Sequence, residues 1–523
     1  MTLAQVIERM PQSVQQERLS LMIRMLSCTT ALTIVFTATG VLAEVTPEEV
    51  WEGWQALSTV AGQELSVGGT SRNGDTLEVS DLVITQTDEL GGSFSASIDK
   101  MNFKDNGDGT VLVTMSDSYP LSLTFPAESD GPSSLKLTVS QPGLMVTAGG
   151  SAAETSYDFA APTVSVKLDE VKDKDGKVND TQADLVMTEM AASYLVSREG
   201  EATELDSKFT AKGVTLNVAG KGIEGSGEGT VTVSMTDLAG TTKGNFLAAE
   251  MMANMALALK SGFTTDSSFS FGAVAMNVDI NEPEGPLKLA ASATGGDLVL
   301  AIDKDRLNYG TALKAASFTV SGPDIPFPEV VVSFAETAFN LLMPVSKSDA
   351  PQDFALTTKL IDFTISEDVW GLFDPTVTLP RDPATLVVDL KGTGFWKQDI
   401  MDPAVQMEGV EPPGELTSLD LTQILVKAAG AEVGATGGLT FDNTDLITFD
   451  GVPAPTGTIN VTIKGVNALI DNLIAIGILP DDQATGARMM LGLFARPGPG
   501  PDELTSVIEF KEGGLFANGQ QLQ

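Results

Sequence analysis

Residues Lys208–Leu238 set the terms for the rest of the chain. Val214, Leu216 and Val218 alternate with Thr215 and Asn217, and Val231, Val233 and Met235 alternate with Thr230, Thr232, Ser234 and Thr236. A glycine-rich turn, Gly220–Gly229, lies between the two runs. A period of two places apolar side chains on one face and hydroxyls on the other, which is the pattern of a half-buried antiparallel hairpin. The same unit recurs from one end of the 523-residue chain to the other. The expected fold is therefore mainly β (α+β minor): extended antiparallel meander or sandwich sheets with a few packing helices.

Composition narrows the chemistry. The sequence contains no histidine, which removes Ser-His-Asp and Cys-His machinery and His-ligated metals. Its one cysteine is Cys28, inside the leader described next, so the mature chain has no thiol, disulfide or thiolate metal site. A net charge of −39 repels nucleic acid and anionic headgroups and keeps the chain soluble; an acidic face that recruits cations is the sharper reading of the same number. Hydrophobic content of 42% is too high for a disordered chain.

Arg24 precedes the uncharged run Met25–Ala43, which ends in small residues at Val41 and Ala43. This reads as a secretory signal peptide over residues 1–43, cleaved between Ala43 and Glu44, with Met22 as an alternative start. Export implies the periplasm. The apolar run is short and is followed by Glu44, Glu48 and Glu49, which argues against a membrane anchor.

In the mature chain, Thr46, Pro47, Glu48 and Glu49 signal a helix start, and Val50, Trp51, Trp54 and Leu57 continue it at helical spacing, giving a helix over 47–60. The two tryptophans are expected to be buried against a sheet. Further helices are expected over 245–260, 366–373, 419–429, 466–479 and 480–494, the first from its Ala, Met and Leu content and the second as a turn capped by Ser366 ahead of Glu367 and Asp368. Helix 466–479 is strongly apolar, but it is short and carries Asp471, so no span of a bilayer is expected in the mature chain. Pro323–Pro328 (PDIPFP) is a rigid linker that divides an N-terminal β-rich region, 44–322, from a C-terminal one, 323–523. The acidic turns Asp105–Thr110 and Lys172–Asp180 lack the ligand spacing of calcium loops and are expected to be hairpin turns.

Leu379–Gly394 (LPRDPATLVVDLKGTG), Leu421–Asn443, Val466–Pro480 and Phe510–Leu522, together with Val50–Gln55 (VWEGWQ), carry a resemblance. The chain resembles the bacterial domain-of-unknown-function family numbered 2125, and the likeness spans nearly the whole mature chain. That resemblance implies an exported protein of alphaproteobacterial type and no catalytic residues. The layout also looks like the β-rich envelope proteins of the AsmA kind, whose apolar grooves are associated with lipid transport; this is a fold-level analogy.

The expected function is that of an exported envelope protein without enzymatic activity. No glycine-rich phosphate loop or nucleophile elbow is present, and 70 acids single out no pair for glycoside hydrolysis. No catalytic, cofactor or metal residues are assigned. Two partners are expected: a lipophilic molecule in an apolar β-groove, or another envelope protein bound by a module with a solid core.

Overall fold

In the computed structural model most strand pairings join neighbours in the chain, which is what period-two patterning joined by tight turns favours. The structure describes residues 45–523 apart from 61, 88–90, 127–132, 152–153, 200–201, 222–227, 248, 253, 283–284 and 404–412. The expected leader over residues 1–43, with Cys28, Ala43 and Glu44, lies outside the described residues. The chain divides into two compact units: residues up to Asn179 with Ser193–Glu199, and Asp180–Ala192 with Gly200–Gln523.

The first unit opens with α1 (Pro47–Val60) and then runs through β1 (Glu64–Asn73), β2 (Thr76–Thr87), β3 (Ser93–Asp105), β4 (Val111–Met115), β5 (Ser118–Thr124), β6 (Ser134–Ser140), β7 (Met145–Gly150), β8 (Glu154–Lys172) and β9 (Val178–Asn179). β4 and β5 lie end to end along β3, and β6 and β7 lie end to end along β8, so the sheet is a meander with two interrupted strands. Thr46 begins α1 with a reciprocal cap: the Glu49 amide donates to Thr46 Oγ1 at 3.3 Å, and the Thr46 amide donates to Glu49 Oε2 at 2.9 Å. The helix buries Val50 and Trp51 on the sheet, where Trp51 and Trp54 pack at 5.7 and 5.6 Å from the fully buried Phe103 ring. Val79, Val111, Val113 and Val146 complete that core. The expected burial against a sheet is met by Trp51, while Trp54 packs on the same core half-buried. Asp81 sits at φ 51°, bending β2 opposite Gly68, where an added Cβ would lie 2.7 Å from Asp81 Cβ.

β10 (Gln182–Glu199) contributes residues to both units. In the second unit, β11 (Ala202–Lys221) pairs with β12 (Glu228–Phe246) in the expected hairpin, with Val214 opposite Met235 and Leu216 opposite Val233. The helices α2 (Ala249–Met252) and α3 (Met255–Lys260) follow. The strands then continue as β13 (Thr265–Phe271), β14 (Val274–Glu282), β15 (Gly285–Ala293), β16 (Gly295–Ile302), β17 (Arg306–Ser321), β18 (Val330–Pro344) and β19 (Gln352–Ile365). After α4 (Glu367–Trp370) come β20 (Ala384–Trp396), β21 (Gly414–Ala428), β22 (Ala431–Asp442) and β23 (Ala454–Lys464). The helix pair α5 (Val466–Ala475) and α6 (Asp481–Phe494) precedes β24 (Arg496–Pro497), β25 (Glu503–Lys511), β26 (Gly514–Ala517) and β27 (Gln520–Gln521).

Four expectations need correction. The helix expected over 419–429 is the second half of β21, bonded to β20 and β22. A register shift between Leu421 and Ile424 breaks the alternation and mimics helical spacing in the sequence. The helix expected over 245–260 is two short ones. Asn245 and Phe246 finish β12, and Asn254 Oδ1 accepts from the Leu257 amide at 3.1 Å, capping the start of α3. The helix expected over 366–373 is a single turn, and Ser366 makes no side-chain cap to it. Pro323–Pro328 is not a domain boundary: it joins β17 to β18, whose flanks pair antiparallel from Val320–Val330 onward. The helices expected over 466–479 and 480–494 are present as α5 and α6. Among the described residues, no helix is long and apolar enough to cross a membrane.

Candidate functional site

β22, β23 and β25 present one continuous apolar face. In β23, Pro455, Gly457, Ile459, Val461 and Ile463 share a side, and no register shift interrupts the pairing with either neighbour. Across the ladder, Ile459 lies opposite Ile508 and Val461 opposite Ser506. An apolar sheet face must be covered, and α5 and α6 cover one end of this one.

Both helices are fixed at their ends by specific groups. Gly465 precedes α5 at φ 69°, and an added Cβ would stand 2.3 Å from the Gly430 carbonyl oxygen, so only glycine fits. The first amides of α5 are capped from a distance by Asp502: Asn467 and Ala468 donate to its carboxylate at 3.2 and 3.0 Å. Burial pushes the Asp502 pKa up, but these amides and the Asn467 side chain outweigh it and hold the carboxyl below its ordinary value. α5 ends on Gly477 at φ 76°, with the Ile478 amide donating to the Leu473 carbonyl at 3.0 Å, a Schellman stop. Asp481 and Asp482 occupy the first turn of α6. Arg488 on α6 reaches back to Asp471 on α5 at 2.5 Å and clips the two helices together.

The hairpin does not seal against the sheet. A pocket of about 540 Å³ remains, floored by Val461, Ile463 and Ile508 and walled by Ile470, Leu491 and Phe494. Ala487 leaves part of the wall low, and Met490, 56% exposed, stands at the rim. Exposed Met489 and Leu493 extend the apolar rim outward along α6. The one hydroxyl in the lining, Ser506 Oγ, already donates to the Phe494 carbonyl at 2.5 Å. The interior therefore offers a ligand dispersion contacts and no free hydrogen-bonding side chain, in a volume within the range of small-molecule sites, about 300–1,000 Å³.

Family comparison coincides with this region. Residues 236–522, more than half of the chain, match the family described as uncharacterized protein conserved in bacteria, DUF2125. The chain belongs to the DUF2125 family. No curated protein matches its sequence. The match covers all of α5, α6 and β22–β27 bar the final residue of the chain, whereas Val50–Gln55, included in the expected likeness, falls outside the matched span.

Other sequence candidates of this DUF2125 protein have structural roles. Asp105, Asp108 and Asp173 accept hydrogen bonds from amides within their own turns, and the two acidic turns join β3 to β4 and β8 to β9 as hairpins. Among the described residues, no group of three or more His, Cys, Asp or Glu is arranged to hold a metal. Of the apolar stretch Asn245–Lys260, the helix α3 buries Ala256, Ala258 and Leu259. The pocket itself is not a single stretch of sequence. Val461 and Ile463 were legible as inward-facing and α5 as apolar, but their meeting with Ile508 depends on a strand pairing about 45 residues apart.

Proposed function

We propose that this DUF2125 protein binds lipophilic molecules outside the cytoplasm, taking an apolar chain into the pocket between α5–α6 and the β23–β25 face. The observation that carries this reading is the lining: aliphatic and aromatic side chains surround about 540 Å³ with the sole hydroxyl engaged internally. A polar group placed inside would lose its water without replacement bonds, so the head of an amphiphile stays at the Met490 rim. The chain acts without chemical transformation of its ligand; the absence of histidine supports a binding role. It reaches the periplasm through a leader cleaved between Ala43 and Glu44.

Native mass spectrometry of protein purified from membranes-plus-periplasm tests the binding: co-purifying lipid is the expected result, and protein of bare polypeptide mass counts against it. Intact mass also reads the processing site, with Glu44 as the expected first residue.

One observation favours a second reading, a protein-interaction module. Leu372, Phe373 and Val377 are 68%, 41% and 62% exposed within six residues, on a loop tied down by Asp374. Replacing all three by serine would abolish a defined periplasmic crosslink if this tip binds a protein, and would leave lipid co-purification unchanged.

A further inference from the structure

A second pocket, of about 360 Å³, lies on the same β22–β23–β25 face, beyond the end that α5 and α6 cover. Leu439, Gly457 and Phe510 stand in register across the three strands, and Phe441 lies two residues further along β22. Gly457 has no side chain to fill the floor, and an added Cβ would lie 2.1 Å from the Gly438 carbonyl oxygen, so the gap is built in. The connection from β22 to β23 folds back over this floor. Asp445 accepts from Ile447 and Thr448, the Gly451 amide donates to the Leu446 carbonyl at 2.8 Å, and the loop thereby presents Phe449 and Asp450. Phe449 meets Phe510 edge to face, with ring centroids 6.1 Å apart.

Three phenylalanines, the Asp450 carboxylate and Gln523, with Leu439, Val452 and Pro455 between them, thus line a small concave site. Among the described residues, nothing pairs with the Asp450 carboxylate, and its backbone is held at φ 49°. Aromatic faces attract cations through the ring quadrupole, and a neighbouring carboxylate adds a counter-charge. A primary ammonium needs acceptors for three N–H groups, and beside Asp450 the only other polar residue of the lining is Gln523, whose carbonyl oxygen already accepts from Gln521 Nε2 and the Leu515 amide. A quaternary ammonium has no N–H to satisfy and needs only faces and charge. An anion is disfavoured by Asp450 and by a net charge of −39. We propose that the Phe441–Phe449–Phe510–Asp450 pocket binds a quaternary ammonium group. The site stands on its own residues and is independent of whether the neighbouring apolar pocket takes an acyl chain.

Calorimetric titration of the full chain with choline, and with its uncharged isostere 3,3-dimethylbutan-1-ol, tests this. Choline should saturate, with the alcohol at least about tenfold weaker. Asp450→Asn keeps a residue that tolerates positive φ, so it should fold as the wild type does and lose about tenfold in choline affinity, with the alcohol unaffected. Phe449→Leu keeps apolar bulk, removes one face and should weaken choline in the same sense. A short-chain phosphocholine amphiphile, used below its micelle concentration, separates the two sources: competition with choline identifies a lipid headgroup, and choline binding without competition identifies a free solute. Equal binding of choline and the alcohol, no saturable choline binding, or full choline affinity in a folded Asp450→Asn protein would each overturn the proposal.

Discussion

The Arg381 guanidinium donates to the Asp374 carboxylate at 2.6 Å, and that carboxylate is sealed completely from solvent. The amides of Thr378 and Leu379 donate to it as well, at 2.9 and 2.8 Å, while Arg381 stacks over Trp370 at 4.4 Å and grips Glu367 with two nitrogens. This knot closes the loop between α4 and β20. Burial alone pushes the Asp374 pKa up; the Thr378 amide, the guanidinium and the Leu379 amide outweigh it and hold it at about 2. A carboxyl depressed in the folded state adds stability that is complete above the ordinary carboxylate range, near pH 4. That contribution is lost as pH falls from there through about 2. Urea titrations between pH 5 and 2 should show a falling midpoint in the wild type, and Asp374→Asn should flatten that fall. Arg381→Met should lower the midpoint at neutral pH, because it leaves a buried charge without its partner. An unchanged midpoint in Arg381→Met would remove the knot from the account of this loop.

The α5–α6 cover depends on Gly465 and Asp502. Gly465→Ala forces a Cβ against the Gly430 carbonyl at a positive φ and should cost about 1–3 kcal/mol. Asp502→Ala removes the remote cap of α5 and should cost about 1 kcal/mol. Because the Asp502 carboxyl is held below its ordinary value, its cap persists at neutral pH and weakens as pH drops below the carboxylate range. Hydrogen exchange should show faster opening of Asn467–Ile470 in both variants, with β11–β12 unchanged.

In the first unit the decisive packing is Phe103 between Trp51 and Trp54. Phe103→Ala opens a cavity under α1 and should cost about 3–5 kcal/mol. Only two other tryptophans, Trp370 and Trp396, are present, so intrinsic fluorescence reports the change directly. A red shift with loss of the first unit's unfolding transition is the expected outcome. Fluorescence and stability both matching the wild type would mean that the helix is held elsewhere.

The extended architecture was legible because it rests on local alternation and tight turns. Most ladders join chain neighbours, as between β11 and β12 or β22 and β23, and most of the others skip a single strand, as between β23 and β25. What misled was local irregularity. The shift between Leu421 and Ile424 turned a strand into apparent helical spacing, and Asn254 cut a helix that composition alone would extend. Arg381 and Asp374 stood in view as part of LPRDP and FDP, but nothing in their spacing signals a sealed ion pair. The two pockets were out of reach for a different reason. Phe441 and Phe510 converge only through the register of three strands and Phe449 through the fold-back of the β22–β23 connection, and the open volume of the other pocket depends on how closely α5 and α6 approach Val461 and Ile508.

That approach distance gives the sharpest test of the apolar pocket. Ala487 faces the cavity from α6, between Ala484 below and Leu491 above on the same helical stripe. Ala487→Leu adds three carbons to a space that already exists. Filling a void gains contacts without the strain of overpacking, so stability should hold or rise by about 1 kcal/mol. The same atoms occupy the volume an acyl chain would use. Uptake of a fluorescent fatty acid should therefore fall at least about tenfold in a protein at least as stable as the wild type. Loss of uptake with loss of stability would not separate the two effects, and Ala487→Ser supplies the control: it keeps the volume open, adds one hydroxyl, and should reduce uptake only modestly. Equal uptake by the wild type and a stable Ala487→Leu protein would place the lipophile elsewhere or nowhere.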